Sequence, residues 1–353
     1  MSLKFCLVGC GRIAKRHSEL LGGNQIEGAD LVAVCDIVQE KANEIGNKYG
    51  VDSFSDMHDM LTSVEIDVIV ILTESGFHAQ HVIELAKYGK HIVVEKPMAL
   101  TLEDADRMIE ACDINGCRLF VVKQNRFNLP VVKLRKALEE GRFGKLIMGT
   151  VRVRWCREQK YYDQDPWRGT WALDGGVLTN QASHHIDLLE WMFGDVESVF
   201  AKSITASVDI EAEDTAAVVL KFSSGAIGIV EATTAVRPVD IEGSLSVIGE
   251  KGMVEIGGFA VNELKHWNFT DVKPEDEVVK KDFSVNPPNV YGFGHKEYYE
   301  HVVECINHDK KQLVDGLKGR KSLELINAIY ESVETGKEVK LKFKPTKCRL
   351  GKV

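Results

Sequence analysis

Lys96, in Glu95-Lys96-Pro97, and His184, in Asn180-Gln181-Ala182-Ser183-His184-His185-Ile186-Asp187, are the side chains best equipped to move a proton. A lysine whose pKa is lowered by burial or by a neighbouring cation can take a hydroxyl proton and return it. Lys96 follows the apolar run His91-Ile92-Val93-Val94, which predicts it at a strand end, with Pro97 fixing the backbone after it. Taken alone it would be an ordinary solvated lysine; its place beside a bound ligand favours the catalytic reading. Asn180 and His184 are four residues apart, and Asp187 lies three further on. On one helix these groups share a face and can hold a hydroxyl and relay its proton. The competing reading is a polar helix face with satisfied histidines. Neighbouring helix residues such as His184 and His185 point about 100° apart, so no metal site is expected.

A second set of residues is spaced to bind rather than to react. Leu3-Lys4-Phe5-Cys6-Leu7-Val8 ends in Gly9-Cys10-Gly11-Arg12-Ile13-Ala14, a Gly-x-Gly-x-x-Ala turn that leads into a helix-like segment. Gly9 allows the tight turn, Gly11 lets a pyrophosphate approach the backbone, and Ala14 lets the helix pack close to the sheet. The pyrophosphate sits on the free N–H groups at the helix N-terminus. Leu31-Val32-Ala33-Val34-Cys35 then ends in Asp36, placed to accept the adenosine ribose hydroxyls. Asp36 repels a 2′-phosphate, and Ile37 and Val38 supply no arginine to hold one, so the reading is NAD rather than NADP. An ordinary strand-turn-helix is the alternative, and the acidic end of the second strand speaks against it.

A third set is basic and aromatic: Arg152, Arg154, Arg157, Lys160, Tyr161, Tyr162 and Arg168. Arg152 and Arg154 alternate onto one strand face. Guanidinium groups grip phosphate or carboxylate in pairs, and tyrosines stack on sugars and bases. In a chain of net charge −9 this local excess suggests a phosphorylated or carboxylated substrate. An ordinary charged sheet face is the competing reading. The overall charge argues against a general nucleic-acid binder, which needs a basic footprint.

These groups need a scaffold. The first third of the chain alternates strand and helix patterns, with strands at Asp67–Thr73, His91–Glu95 and Leu119–Val122 and a helix at His78–Tyr88. Thr101, with Asp104 three residues on, marks an N-cap for a helix that stops at Gly116. Such alternation implies an α/β doubly wound parallel sheet. After a helix over about 129–140 the pattern turns to strands: Gly149–Trp155, Val196–Ile204, Thr215–Phe222, Ala226–Thr234, Ser244–Ile248 and Met253–Ile256. Ser223-Ser224-Gly225 reads as a hairpin turn between two of them, and one long helix, about Val177 to Phe193, interrupts the series. Helical patterns return near His295–His308 and Lys321–Glu334. The expected organisation is a Rossmann domain over residues 1–122 and an α+β domain with a large, mostly antiparallel sheet over residues 123–353.

The 353 residues suffice for two cores, and no apolar run approaches a membrane span. The N-terminus enters the first strand at once, so no secretion signal is expected. The eight cysteines are scattered without a Cys-x-x-Cys pair and read as reduced core residues in a cytoplasmic protein. Ala226-Ile227-Gly228-Ile229-Val230 carries small and apolar residues on both faces, which predicts a homo-oligomer, a dimer or a tetramer.

Gly9-x-Gly11-x-x-Ala14, Asp36, Thr73 through His78, Glu95-Lys96-Pro97, Gly175-Gly176-x-Leu178 and His184-x-x-Asp187 together resemble the Gfo/Idh/MocA oxidoreductases over nearly the whole chain. The resemblance implies that Lys96 is catalytic and that His184 assists at a sugar hydroxyl. It departs at Asn180, where the family commonly has Asp; a neutral amide can orient a hydroxyl but cannot act as a base. Within the family, Gln124 to Asn128, Tyr161 to Trp171 and Asn180 to His185 are most similar to UDP-N-acetyl-2-amino-2-deoxy-D-glucuronate 3-dehydrogenases. Those enzymes oxidise the sugar 3-hydroxyl with NAD in the synthesis of bacterial surface polysaccharide, and some recycle bound NADH with 2-oxoglutarate. The cofactor contacts implied are Gly9, Gly11, Arg12, Ile13 and Asp36, then Thr73, His78, Glu95, Lys96 and Gln124, then Trp167 and Arg168. The substrate contacts implied are Lys96, Arg126, Asn128, Arg154, Arg157, Tyr161, Arg168, Asn180 and His184. The alternatives are a free sugar or inositol dehydrogenase, which makes the basic cluster incidental, and a non-catalytic NAD-binding regulator.

Overall fold

The computed structural model describes residues 2–283 and 292–341. The end of the expected second domain, residues 342–353 with Cys348, lies outside the described residues. The chain begins β1 (Leu3–Val8), α1 (Ala14–Gly22), β2 (Ala29–Cys35), α2 (Gln39–Tyr49), β3 (Asp52–Phe54) and α3 (Met57–Ser63). It continues β4 (Val68–Ile71), α4 (His78–Ala86), β5 (His91–Val94), α5 (Leu102–Ile114) and β6 (Leu119–Val121). These six strands pair in parallel in the order β3-β2-β1-β4-β5-β6. The order reverses between β1 and β4, and ligands bind outside the carboxyl ends of strands at such a point. Phe5, Cys6 and Leu7 are wholly buried, as a strand with helices on both faces requires. Thr101 caps α5 by accepting a hydrogen bond from the Asp104 N–H at 3.1 Å, as its spacing predicts. The sequence pattern did not mark α2, β3 or α3; three residues in β3 are too few to show a period.

The second half runs α6 (Leu129–Glu139), β7 (Leu146–Arg154), α7 (Gln159–Asp163), α8 (Ser183–Phe193), β8 (Val196–Ile204), β9 (Thr215–Phe222) and β10 (Ile227–Thr233). It ends with β11 (Glu242–Gly249), β12 (Gly252–Gly257), β13 (Glu263–Phe269), α9 (Glu275–Asp282), α10 (His295–Asn307), α11 (Gly316–Thr335) and β14 (Val339–Lys340). Its eight strands form one sheet in the order β13-β12-β11-β7-β10-β9-β8-β14, antiparallel except for the β7–β10 pair. In β9, Ala216, Val218, Leu220 and Phe222 are buried while Ala217, Val219 and Lys221 are exposed, so one sheet face is core and the other is not. α8 lies on the core face. Its Phe193 stacks on Phe222 at 4.9 Å and passes so close to Gly149 that a Cβ there would fall 2.3 Å from the ring. α10, late in the chain, packs against the first sheet: Tyr298, Tyr299 and Val302 join Phe5, Leu7 and Leu21 in one cluster.

α8 starts at Ser183, six residues later than the apolar pattern predicts. The turn before it closes wider than a helix does: the Ala182 N–H bonds the Val177 carbonyl, five residues back, at 2.7 Å. The Val177 and Leu178 N–H groups bond the Glu213 carbonyl and carboxylate, both at 2.9 Å, and the Gly176 N–H bonds the Tyr330 hydroxyl at 3.2 Å. Residues 176–182 are therefore a series of turns, and Asn180 precedes the helix rather than sharing its face with His184.

Candidate active site

The carboxyl ends of β1, β2, β4 and β5, with Gln124 beyond β6, open into one cleft of about 860 Å³. Gly9 adopts φ +98°, and a Cβ there would lie 2.8 Å from the backbone of Leu72, which excludes any side chain. A Cβ on Gly11 would meet nothing within 4 Å, so the backbone borders open space. α1 begins without a side-chain cap at Ile13, the arrangement that suits an anion at a helix N-terminus. Asp36 lines the same cleft, its carboxylate accepting from the N–H groups of Cys10 and Val38, both at 2.8 Å. A carboxylate has about four lone-pair sites, so it can still receive ribose hydroxyls. Glycine turn, uncapped helix and strand-end carboxylate together fit an NAD molecule. Replacing Asp36 with Ala should narrow a preference for NAD over NADP of at least about tenfold, or about 1.4 kcal/mol. Fluorescence titration with both cofactors reads this, and equal affinities in the unaltered protein would remove the role.

Lys96 follows β5, and its Nζ donates to the Asn180 carbonyl oxygen at 2.8 Å and to the Asn180 Oδ1 at 3.4 Å. Burial pushes the Lys96 pKa down; Lys123 and Arg168 push the same way, while Glu95 and Asp174 oppose them. His184 lies across the cleft with its Nε2 3.1 Å from the Gln124 amide nitrogen. Burial and the Lys96 and Lys123 charges push its pKa well below the usual value, so the ring is neutral at pH 7. Glu95 accepts from the Lys96 N–H at 2.8 Å and meets His17 Nε2 at 3.0 Å and His295 Nε2 at 3.7 Å. Burial alone would raise the Glu95 pKa, but hydrogen bonds and charge from His17 and His295 outweigh it and hold the carboxyl well below its usual range. His17 in turn bonds the Tyr299 hydroxyl through Nδ1 at 2.5 Å. We read Tyr299, His17 and Glu95 as a hydrogen-bonded chain that fixes the backbone under Lys96. Thr73 and His78 border the cleft too, and the His78 ring ties the two strand-end loops by bonding the Pro97 and Thr73 carbonyls at 2.7 and 2.9 Å.

The segment from Trp155 to Arg168 closes the cleft on the second-domain side. Arg168 stacks on Trp167 and Tyr161, donates to the Tyr161 hydroxyl at 2.8 Å and pairs with Asp165 at 2.8 Å. Arg157 stacks on Trp155 and Tyr161 and pairs with Asp240 at 2.8 Å. Arg12 from the glycine turn reaches the same Tyr161 ring. One aromatic platform thus carries cations from both halves of the molecule.

Three expected substrate contacts are not in this cleft. Arg154 lies on the outer face of the second sheet, where it pairs with Glu231 and Glu242 at 2.6 and 3.0 Å, and Arg152 meets the same Glu242. Arg126 is buried and pairs bidentately with Asp187, both bonds at 2.8 Å, so Asp187 serves structure and not a ligand hydroxyl. Asn128 is buried and donates to the Ala260 and Val261 carbonyls at 3.1 and 3.3 Å. Lys160 is exposed and does not border the cleft. For Arg154, Arg126 and Asn128 the partner lies far along the chain, so local spacing could not show that the group was already answered.

Sequence reading assigned no role to His17, Lys123, Asp174 or His295. His17 had a signal: with Ala14 three residues before and Leu21 four after, it falls on the buried face of α1. Asp174 had none beyond its place in a glycine-rich run.

The description of an oxidoreductase family's NAD-binding Rossmann fold matches residues 3–123, and that family's C-terminal alpha/beta domain matches residues 135–341. The WlbA dehydrogenase from Bordetella pertussis, solved with NADH and UDP-GlcNAcA, is 42% identical, with a TM-score of 0.89 over 98% of this chain and 100% of that one. The Chromobacterium violaceum WlbA dehydrogenase, solved with the same two ligands, is 41% identical with a TM-score of 0.90 over 97% of each chain. Myo-inositol 2-dehydrogenase from Thermotoga maritima is 29% identical over 96% of this chain and 98% of its own length.

Proposed function

We infer the reaction from one premise: the chain belongs to the Gfo/Idh/MocA oxidoreductase family and is an NAD-dependent sugar dehydrogenase. Its substrate in this reading is UDP-N-acetylglucosaminuronic acid, oxidised from secondary alcohol to ketone at the sugar 3-hydroxyl. One observation carries the choice: Arg168, Arg157 and Tyr161 share a single cleft with Lys96 and His184. A substrate with a diphosphate and a carboxylate then meets cations while its hydroxyl meets the proton acceptor. The WlbA dehydrogenases solved with UDP-GlcNAcA support the same choice.

What bound NAD supplies is a hydride acceptor. Lys96, as the neutral amine, takes the hydroxyl proton as the carbonyl forms, and burial, which lowers its pKa, favours that form. The neutral His184 orients the hydroxyl. The product is the 3-keto sugar, with one hydride on the cofactor and one proton on Lys96. The outer face of the second sheet leaves Phe200, Val219 and Ile227 exposed, which supports a homo-oligomer across it.

Arg168→Ala should raise the KM for UDP-N-acetylglucosaminuronic acid about 10- to 100-fold, the scale of one charge-assisted contact, with a smaller change in kcat. Arg154→Ala should leave KM in place, because Glu231 and Glu242 already occupy that side chain. The inositol dehydrogenases among the relatives favour a second reading, a free cyclic polyol. If UDP neither binds nor competes and myo-inositol turns over, that second reading replaces the first.

A further inference from the structure

Asp174 is 1% exposed and lies behind Asn180, which borders the cleft. Its Oδ1 accepts from the Asn180 Nδ2 at 2.7 Å and its Oδ2 from the Gly169 N–H at 2.9 Å. Asn180 faces the other way with both oxygens, which receive the Lys96 Nζ at 2.8 and 3.4 Å. Electrostatics fix this orientation of the amide. Turned over, its NH₂ would face an ammonium and its oxygen a carboxylate, two repulsions in place of two attractions. The three side chains therefore form a directed chain, carboxylate to amide to amine. Gly169 follows Arg168 in sequence, so the same carboxylate anchors the loop that carries the cationic end of the cleft. We propose that Asp174 is the counter-charge of Lys96, a positioning residue that acts through the Asn180 side chain to aim the amine and to set how readily it holds a proton.

The proposal rests on the reading of Lys96 as proton acceptor. The other charges facing Lys96 are Glu95 beside it, Lys123 after β6, Arg168 in the loop, and the neutral His184 of α8. Asp174 also faces Arg168, Tyr162 and Glu213. Burial pushes the Asp174 pKa up, while the Gly169 N–H, the Asn180 amide and the Arg168 and Lys96 charges favour the carboxylate. With the carboxylate ionised, the ammonium form of Lys96 is favoured, so removing that charge must make Lys96 lose its proton at lower pH.

The test titrates Lys96 directly, without substrate. Trace acylation with acetic anhydride across pH, read at Lys96 by peptide mass spectrometry, gives the midpoint at which its amine becomes reactive. Asp174→Asn should lower that midpoint by about one pH unit, the usual scale for a near charge. Asn180→Asp, which brings a carboxylate against Lys96, should raise it. The double variant Asp174→Asn with Asn180→Asp keeps the charge count but brings the carboxylate into contact with the amine, and should place the midpoint at or above that of the starting protein. Thermal melting and NADH binding report folding. An unchanged midpoint in a folded Asp174→Asn protein overturns the proposal; if that variant does not fold, a midpoint in the double variant below that of the starting protein does so. Loss of the Lys96 reading is separately visible, as normal turnover in Lys96→Met.

Discussion

Lys96→Met should fold and bind NADH like the starting protein yet turn over about 10²–10⁴ times more slowly, the range for losing a positioned acid-base group. Methionine matches the length of the lysine stem and removes only the amine. The backbone around it should survive, because the Glu95 carboxylate holds the Lys96 N–H and not the side chain. The measurement is single-turnover reduction of NAD with UDP-N-acetylglucosaminuronic acid, alongside NADH titration. Retained turnover would mean that the proton leaves by another group, and His184 borders the same cleft. His184→Ala should slow the reaction less, since a neutral ring that orients a hydroxyl contributes less than the group that takes its proton.

The second large effect concerns stability. Asp187 is 1% exposed and faces two buried cations, the bidentate Arg126 and the Lys123 ammonium at 3.7 Å. Burial would raise the Asp187 pKa, but the Arg126 and Lys123 charges outweigh it and keep the carboxylate ionised. Asp187→Ala leaves both cations in the core without their anion. Breaking a buried pair from one side costs about 3–5 kcal/mol, far more than any surface pair here. The urea midpoint should fall accordingly with the slope unchanged. Arg107→Ala, which breaks an exposed pair with Asp104, should leave the midpoint in place. Equal midpoints for the two variants would show that the Arg126–Asp187 pair contributes nothing net.

These two sites differ in how far the sequence exposed them. Gly9, Gly11 and Asp36 could be read because a tight turn, a close ligand approach and a strand-end carboxylate each demand a residue type at a fixed local distance. Lys96 could be read because the apolar residues Ile92, Val93 and Val94 placed it at a strand end. Arg126, Asn128 and Arg154 looked like ligand groups because charge and amide count are local, whereas Asp187, the Ala260 carbonyl and Glu231 are distant in sequence. The apolar pattern placed the start of the 183–193 helix six residues early, because apolar spacing does not register the wide turn that the Ala182 N–H closes on the Val177 carbonyl. Six of the eight strands of the second half, by contrast, were legible in the pattern, and β8 and β9 begin and end where it places them, while β13 and β14 went unread.

The return of α10 to the first sheet has a consequence for synthesis on the ribosome. Tyr299 packs edge-on against Phe5 at 5.8 Å and holds His17 through its hydroxyl. All six parallel strands are complete at Val121, while α10 begins at His295. At about 5–20 residues per second, the nascent sheet waits roughly 10–35 s for the helix that covers it. Throughout that interval Phe5 and its neighbours present an apolar surface, and the Glu95 carboxylate that underlies Lys96 lacks the second of its two histidines. The strand end that carries Lys96 therefore takes its final form only once α10, some 200 residues later, has been made.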